Sequence, residues 1–205
     1  MHLEALTSEG KDILPKLKFL PDFYLAGGTG LALQLGHRIS VDFDFFNEKA
    51  IEADLLDELE ENIPNLPTKI IVNNKDELTA IVGETKFSFL YYPFPPLLPL
   101  ADFDNLKIAS IPEIAAMKAY TLGRRGTFKD YVDIYFILKG GESLEAVVGL
   151  ANKKYGEAFD ARLFLEQMVY LKDIEDTDIR FLKEEVKKEE LERFFEDKIR
   201  LFPLK

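Results

Sequence analysis

The chain has 205 residues, 47% of them hydrophobic and 17 of them Phe, which excludes a disordered protein and allows one large or two small domains with a buried core. A formal net charge of −11 excludes a protein that coats nucleic acid by global electrostatics, while leaving room for a small basic site. The absence of cysteine excludes disulfides and thiolate zinc sites, and no apolar run reaches the roughly 18 residues of a membrane span, so a cytoplasmic protein without membrane contact is expected.

In chain order, Leu3, Leu6, Ile13, Leu14, Leu17 and Leu20 recur at roughly helical spacing, which predicts an opening amphipathic helix bent or split at Pro15. Residues 24–26 read as a short buried strand entering a Gly-Gly turn. Residues 29–35 read as a helix closed by Gly36, and 39–46 as a strand. An acidic amphipathic helix is expected over 51–62, followed by strands at 69–73, 79–82 and 86–92, the last two joined as a hairpin across Gly83-Glu84. The proline-rich segment 93–99 interrupts regular structure. Helices are then predicted over 111–122, 129–139, 143–155, 157–171 and 175–198, the last heavily charged. The fold class is therefore α+β: a mixed β-sheet with flanking helices over 1–105, followed by a helical C-terminal lobe over 106–205.

Chemistry concentrates in the stretch FYLAGGTGLALQLGHRISVDFDFF, residues 23–46. Alternate strand residues share a face, so Asp42 and Asp44 project together, and two carboxylates held that close call for a cation. Mg²⁺ suits such a pair because it takes oxygen ligands, commonly one or two carboxylates plus substrate phosphates. Val41, Phe43, Phe45 and Phe46 surround the pair, which argues against a merely solvated strand edge. Upstream, Gly27, Gly28 and Thr29 can bring backbone N–H groups and a hydroxyl to a phosphate at a helix start, or simply form a tight ligand-free turn. The glycines lack the Lys-Ser/Thr of a Walker A loop, and Leu33 stands where a Rossmann fingerprint needs its third glycine. Arg38 and Ser40 lie beside the pair and can contact phosphate, though Arg38 can equally form a plain ion pair. His2 and His37 have no ligand partners at metal spacing, so no zinc site is expected.

Gly-Gly, a spacer of residues 29–41, then Asp-Phe-Asp resembles the signature of the nucleotidyltransferase superfamily, whose fold is that of DNA polymerase beta. The fuller string GGTGLALQLGHRISVDFDFF is similar to the AbiEii/AbiGii-type toxins of toxin–antitoxin systems. KAYTLGRRGTFKDYVDIYFIL, residues 118–138, resembles that branch's downstream motif. The resemblance implies a nucleotidyltransferase-like sheet with a helical lobe, Mg²⁺ (or Mn²⁺) on Asp42 and Asp44, and transfer of a nucleoside monophosphate from a nucleoside triphosphate to an RNA end or a protein hydroxyl. It also implies that Lys118 contacts the triphosphate, that Asp133 supports catalysis, that Lys129 and Asp130 belong to the nucleotide site, and that a cognate antitoxin exists. From the residues alone, Asp130 and Asp133 share a helical face, where they can orient Lys118 or Lys129, accept a proton, or make a helix-to-helix salt bridge. Arg124 and Arg125 can neutralise transition-state charge or cap a helix end. Superfamily enzymes usually carry a third carboxylate on a later strand, but the matching strand here presents Ser88, and Glu84, Asp102 and Asp104 do not match that position. Two functions follow: a Mg²⁺-dependent nucleotidyltransferase toxin, or a nucleotide-binding pseudoenzyme serving as a partner-binding module.

Overall fold

In the computed structural model, which describes residues 1–203, the opening apolar run forms three short pieces instead of one helix. A 3-10 turn covers Leu3–Ala5, helix α1 covers Ser8–Ile13, and a second 3-10 stretch covers Leu14–Phe19. Thr7 starts α1 by accepting from the Gly10 N–H, and Pro15 falls in the first turn of the next piece, where its missing N–H costs nothing. Strand β1 is Tyr24–Leu25, helix α2 is Gly27–Leu35, strand β2 is Asp42–Asn47 and helix α3 is Leu55–Asn62. Strands β3 (Thr68–Asn73), β4 (Glu77–Val82) and β5 (Thr85–Tyr91) follow, with the expected turn at Gly83-Glu84. Two further strands, β6 (Ala101–Phe103) and β7 (Leu106–Ile108), escape sequence patterning because each is three residues long. Their hairpin turns through Asp104 and Asn105, both at positive φ.

These strands form one sheet in the order β3-β4-β5-β2-β1-β7-β6. β2 pairs parallel with β5 and antiparallel with β1, while β1 pairs parallel with β7. The β2–β5 register sets Phe43 beside Phe87 and Phe45 beside Phe89, and the rings stack with centroids 5.4 and 5.2 Å apart. All four are buried in a core with Leu6, Ile13, Leu17, Leu59 and Ile63, so α1, the 3-10 stretch and α3 cover this face. At about 2 kcal/mol per buried ring, these four phenylalanines dominate the choice of face. Because successive residues alternate, the same register turns Asp42, Asp44, Lys86 and Ser88 to the other face.

The chain divides into two compact units, the first ending at Ser110 and the second beginning at Ile111. The sequence placed the change at 105/106; β7 pairs with β1, and that keeps residues 106–108 in the sheet. The second unit is helical: α4 (Ile111–Arg125), α5 (Phe128–Lys139), α6 (Leu144–Tyr155), α7 (Ala161–Met168) and α8 (Lys188–Arg200). Asp160 accepts from the N–H groups of Arg162 and Leu163, which starts α7 at 161 after a separate 3-10 turn and not at 157. The predicted helix over 175–198 is shorter than expected. Residues 175–178, Glu-Asp-Thr-Asp, compete locally with helical bonding, Val186 buries its side chain, and Lys188 Nζ donates to the Ile174 carbonyl at 2.6 Å. Among the described residues no helix is long and apolar enough to cross a membrane.

Candidate active site

The structure gathers the expected site residues into two clusters, one in each unit. In the first, β1 runs into α2 through Gly27, whose φ of +60° suits glycine. Space demands glycine there as well: a Cβ at Gly27 would lie 2.5 Å from Asp44 Oδ2, so the carboxylate rests against the turn. A Cβ at Gly28 would lie 2.5 Å from Arg38 Nη2 and 3.3 Å from Ser40 Oγ. The first helical bond of α2 runs from the Gly30 N–H to the Ala26 carbonyl, which leaves the N–H groups of Gly27, Gly28 and Thr29 ahead of the ladder. The positive end of the helix dipole therefore meets Asp44 from one side and the Arg38 guanidinium over Gly28 from another.

Thr29 and Ser40 do not present their hydroxyls outward. Thr29 is buried, with Oγ1 2.8 Å from Ser40 Oγ and hydrogen-bonded to the Asp42 carbonyl as well. The hydroxyl expected to donate to phosphate instead ties α2 to the strand that carries the aspartates. Ser40 is fixed from the other side, because its N–H donates to the Ala5 carbonyl at 2.8 Å. Arg38 is buried, with Nη1 donating to the Ile39 carbonyl at 3.1 Å. Asp42 remains partly exposed, 3.8 Å from Lys86 Nζ, and Asp44 is also partly exposed. Ser88 pairs directly with Asp44 across β2 and β5, and Thr79 on β4 pairs with Ser88. The position of the expected third carboxylate is thus a hydroxyl with a second hydroxyl beside it.

Asp42 and Asp44 supply hard oxygen donors on one face, a set that suits Mg²⁺ or Mn²⁺ held by two carboxylates, waters and phosphate. No group of three or more His, Cys, Asp or Glu able to hold a metal occurs among the described residues, so substrate oxygens would have to complete the shell. His37 is fully buried and belongs to no such group.

The second cluster joins α4 to α5. Lys118 Nζ lies 2.7 Å from Asp130 Oδ1 and 2.7 Å from Asp133 Oδ2, and Asp133 is fully buried. Asp130 also closes a capping box, accepting from the N–H and hydroxyl of Thr127 with Oδ2 while Oδ1 takes Lys118. The ammonium expected to reach a triphosphate is occupied by two carboxylates, and the salt bridge between helices is what the structure contains. Lys129 is half-buried beside them. Arg124 and Arg125 are both exposed, and Arg124 stacks over the Tyr120 ring at 3.7 Å, a packing role. Sequence reasoning missed Tyr131, which donates to the Gln167 carbonyl and whose phenol is pushed up to about 12 by burial and, secondarily, by the Asp130 charge. A second buried pair, Lys154 to Glu113 at 2.6 Å, links α6 to α4 with both side chains fully buried; no sequence spacing signals it.

The chain matches the family described as Nucleotidyl transferase AbiEii toxin, Type IV TA system, over residues 11–97 and 89–204. It is 32% identical over 209 residues to the uncharacterized protein aq_aa25 of Aquifex aeolicus, covering 97% of this chain and 98% of that one. JHP933 from Helicobacter pylori superposes with a TM-score of 0.55 at 18% identity, over 95% of this chain and 97% of that one. MenT4, a nucleotidyltransferase toxin from Mycobacterium tuberculosis, superposes with a TM-score of 0.51 at 18% identity, over 84% of this chain and 76% of that one. Both likenesses concern the fold. With Gly27 set against Asp44 and the family match running over nearly the whole chain, the protein belongs to the AbiEii family of nucleotidyltransferase toxins.

Proposed function

We propose that the protein transfers a nucleoside monophosphate from a nucleoside triphosphate to a hydroxyl on an RNA end or a protein, with Mg²⁺ or Mn²⁺ as cofactor. The observation that carries this is the contact of Asp44 with Gly27, which sets a carboxylate beside backbone N–H groups at the start of a helix. A divalent ion held by Asp42 and Asp44 would neutralise charge on the phosphates and lower the pKa of a bound hydroxyl. The acceptor hydroxyl would give its proton to solvent as its oxygen attacked the α-phosphorus, the bond to the β-phosphate would break, and pyrophosphate would leave with the bonding electron pair. Arg38 and the amides of Gly27 and Gly28 would orient the phosphates; Thr29 and Ser40 would hold the turn to the strand. In the second unit Lys118, Asp130 and Asp133, with Lys129 beside them, would enter the nucleotide site only if the ammonium exchanged a carboxylate for a phosphate. The biological setting would be a toxin restrained by a cognate antitoxin.

The pseudoenzyme reading is favoured by one observation, Ser88 opposite Asp44. A third carboxylate at that place helps bind metal and serves as base for the attacking hydroxyl, and serine does neither well. One assay separates the two readings. Each α-labelled nucleoside triphosphate is incubated with the protein, Mg²⁺, and total RNA and protein as acceptors, with Asp44→Asn alongside. Label transfer that vanishes in Asp44→Asn is expected. Tight triphosphate binding with no transfer under any condition would leave the binding module.

A further inference from the structure

The parallel register that stacks the core phenylalanines also sets Lys86 opposite Asp42, on the face that carries the Asp pair. Its ammonium lies 3.8 Å from Asp42 Oδ2, a charge contact too long for a hydrogen bond, and the two side chains are 41% and 38% exposed. Lys118, by contrast, is held at 2.7 Å by each of two carboxylates. β5 is paired on both sides, with β2 and β4, so the Lys86 backbone is rigidly placed while its ammonium keeps a flexible four-carbon stem.

The geometry points to Lys86 as a phosphate-binding residue of the nucleotide site that, before substrate arrives, stands in for the metal beside Asp42. This rests on the Asp pair being the metal and nucleotide site. A divalent ion at Asp42 and a lysine at the same carboxylate repel each other, so one displaces the other. The displaced ammonium then turns to the nearest anion, which in a loaded site is a phosphate oxygen brought in with the metal. Lys86 thus opposes metal binding alone and favours binding of metal with polyphosphate. A merely structural surface pair would oppose the metal but leave polyphosphate binding unchanged.

The test uses the full-length protein and two probes, Mn²⁺ alone and inorganic tripolyphosphate with Mg²⁺. Mn²⁺ binding is followed by electron paramagnetic resonance and tripolyphosphate binding by calorimetry. Lys86→Met keeps the stem and removes the charge; Lys86→Arg keeps the charge; Asp44→Asn serves as reference. In Lys86→Met, Mn²⁺ should bind about threefold tighter, the scale of a lost exposed charge contact, and tripolyphosphate about tenfold weaker, the scale of one charge-assisted hydrogen bond. Lys86→Arg should restore tripolyphosphate binding. Unchanged binding of both probes in Lys86→Met, with both lost in Asp44→Asn, would overturn the role of Lys86 and leave the site reading intact. Unchanged binding in Asp44→Asn as well would overturn the site reading, and the role of Lys86 with it.

Discussion

Two clusters in this protein use the same residue types to opposite ends. In the first unit Asp42 and Asp44 lie partly exposed, and the nearest lysine in contact, Lys86, stands at 3.8 Å. In the second, Asp130 and Asp133 are buried and share one ammonium at 2.7 Å each. The difference lies in hydration. Partly exposed carboxylates stay within reach of water and can exchange it for a metal cation. Buried ones have already given up water and must be matched from within the fold. On the function proposed above the first cluster would accept a metal and its substrate, whereas the second ties α4 to α5 through Lys118.

Removing one member of the buried cluster should produce the largest effect. Lys118→Met is expected to cost about 3–5 kcal/mol by leaving two carboxylates uncompensated, read from urea unfolding. An unfolding midpoint like that of the wild type would erase the contrast between the clusters. Asp44→Asn should instead leave the unfolding midpoint nearly unchanged while transfer falls on the order of a hundredfold to a thousandfold, the scale of one lost preorganised charge. A large stability loss in that variant would show that Asp44 is structural too. Gly27→Ala sharpens the comparison at the turn. Positive φ and the clash with the Asp44 carboxylate predict a cost of about 1–3 kcal/mol together with loss of triphosphate binding, measured by thermal melting and calorimetry. Wild-type behaviour in both measurements would remove the turn from the site.

The smallest effect concerns Tyr131, beside the buried cluster. Its phenol ionises near 10 when unfolded and at about 12 when folded, because burial and then the Asp130 charge disfavour the phenolate. Between those values the unfolded chain releases a proton that the folded chain keeps, so stability present below pH 10 is lost as pH rises toward 12. Tyr131→Phe should flatten that alkaline decline in unfolding experiments across the same window, and an unchanged slope would place its origin elsewhere.

Much of the first cluster was legible beforehand because its signals are local. A Gly-Gly turn, a helix ended by Gly36 and an Asp-Phe-Asp strand are consequences of backbone conformation and of a period of two. The β4–β5 hairpin was legible for the same reason, from alternation on either side of Gly83-Glu84. The first unit nevertheless held two strands, β6 and β7, too short for any period to register. The C-terminal helix was overdrawn, since charge pattern alone does not reveal that Lys188 bonds a distant carbonyl or that Val186 is buried.

By itself the sequence determined the fold class and the family, and it placed Asp42 and Asp44 on one face of a strand, since element periods and motif residues are local signals even when the motifs lie far apart. Only the tertiary structure decided what those residues touch. It turned Thr29 and Ser40 inward, spent Lys118 on two aspartates, and set Ser88 and Lys86 across from Asp44 and Asp42 through a strand register that depends on phenylalanines some forty residues apart. Burial and register are properties of contacts between distant segments, and the free energy of each carboxylate is set by those contacts rather than by its neighbours in sequence.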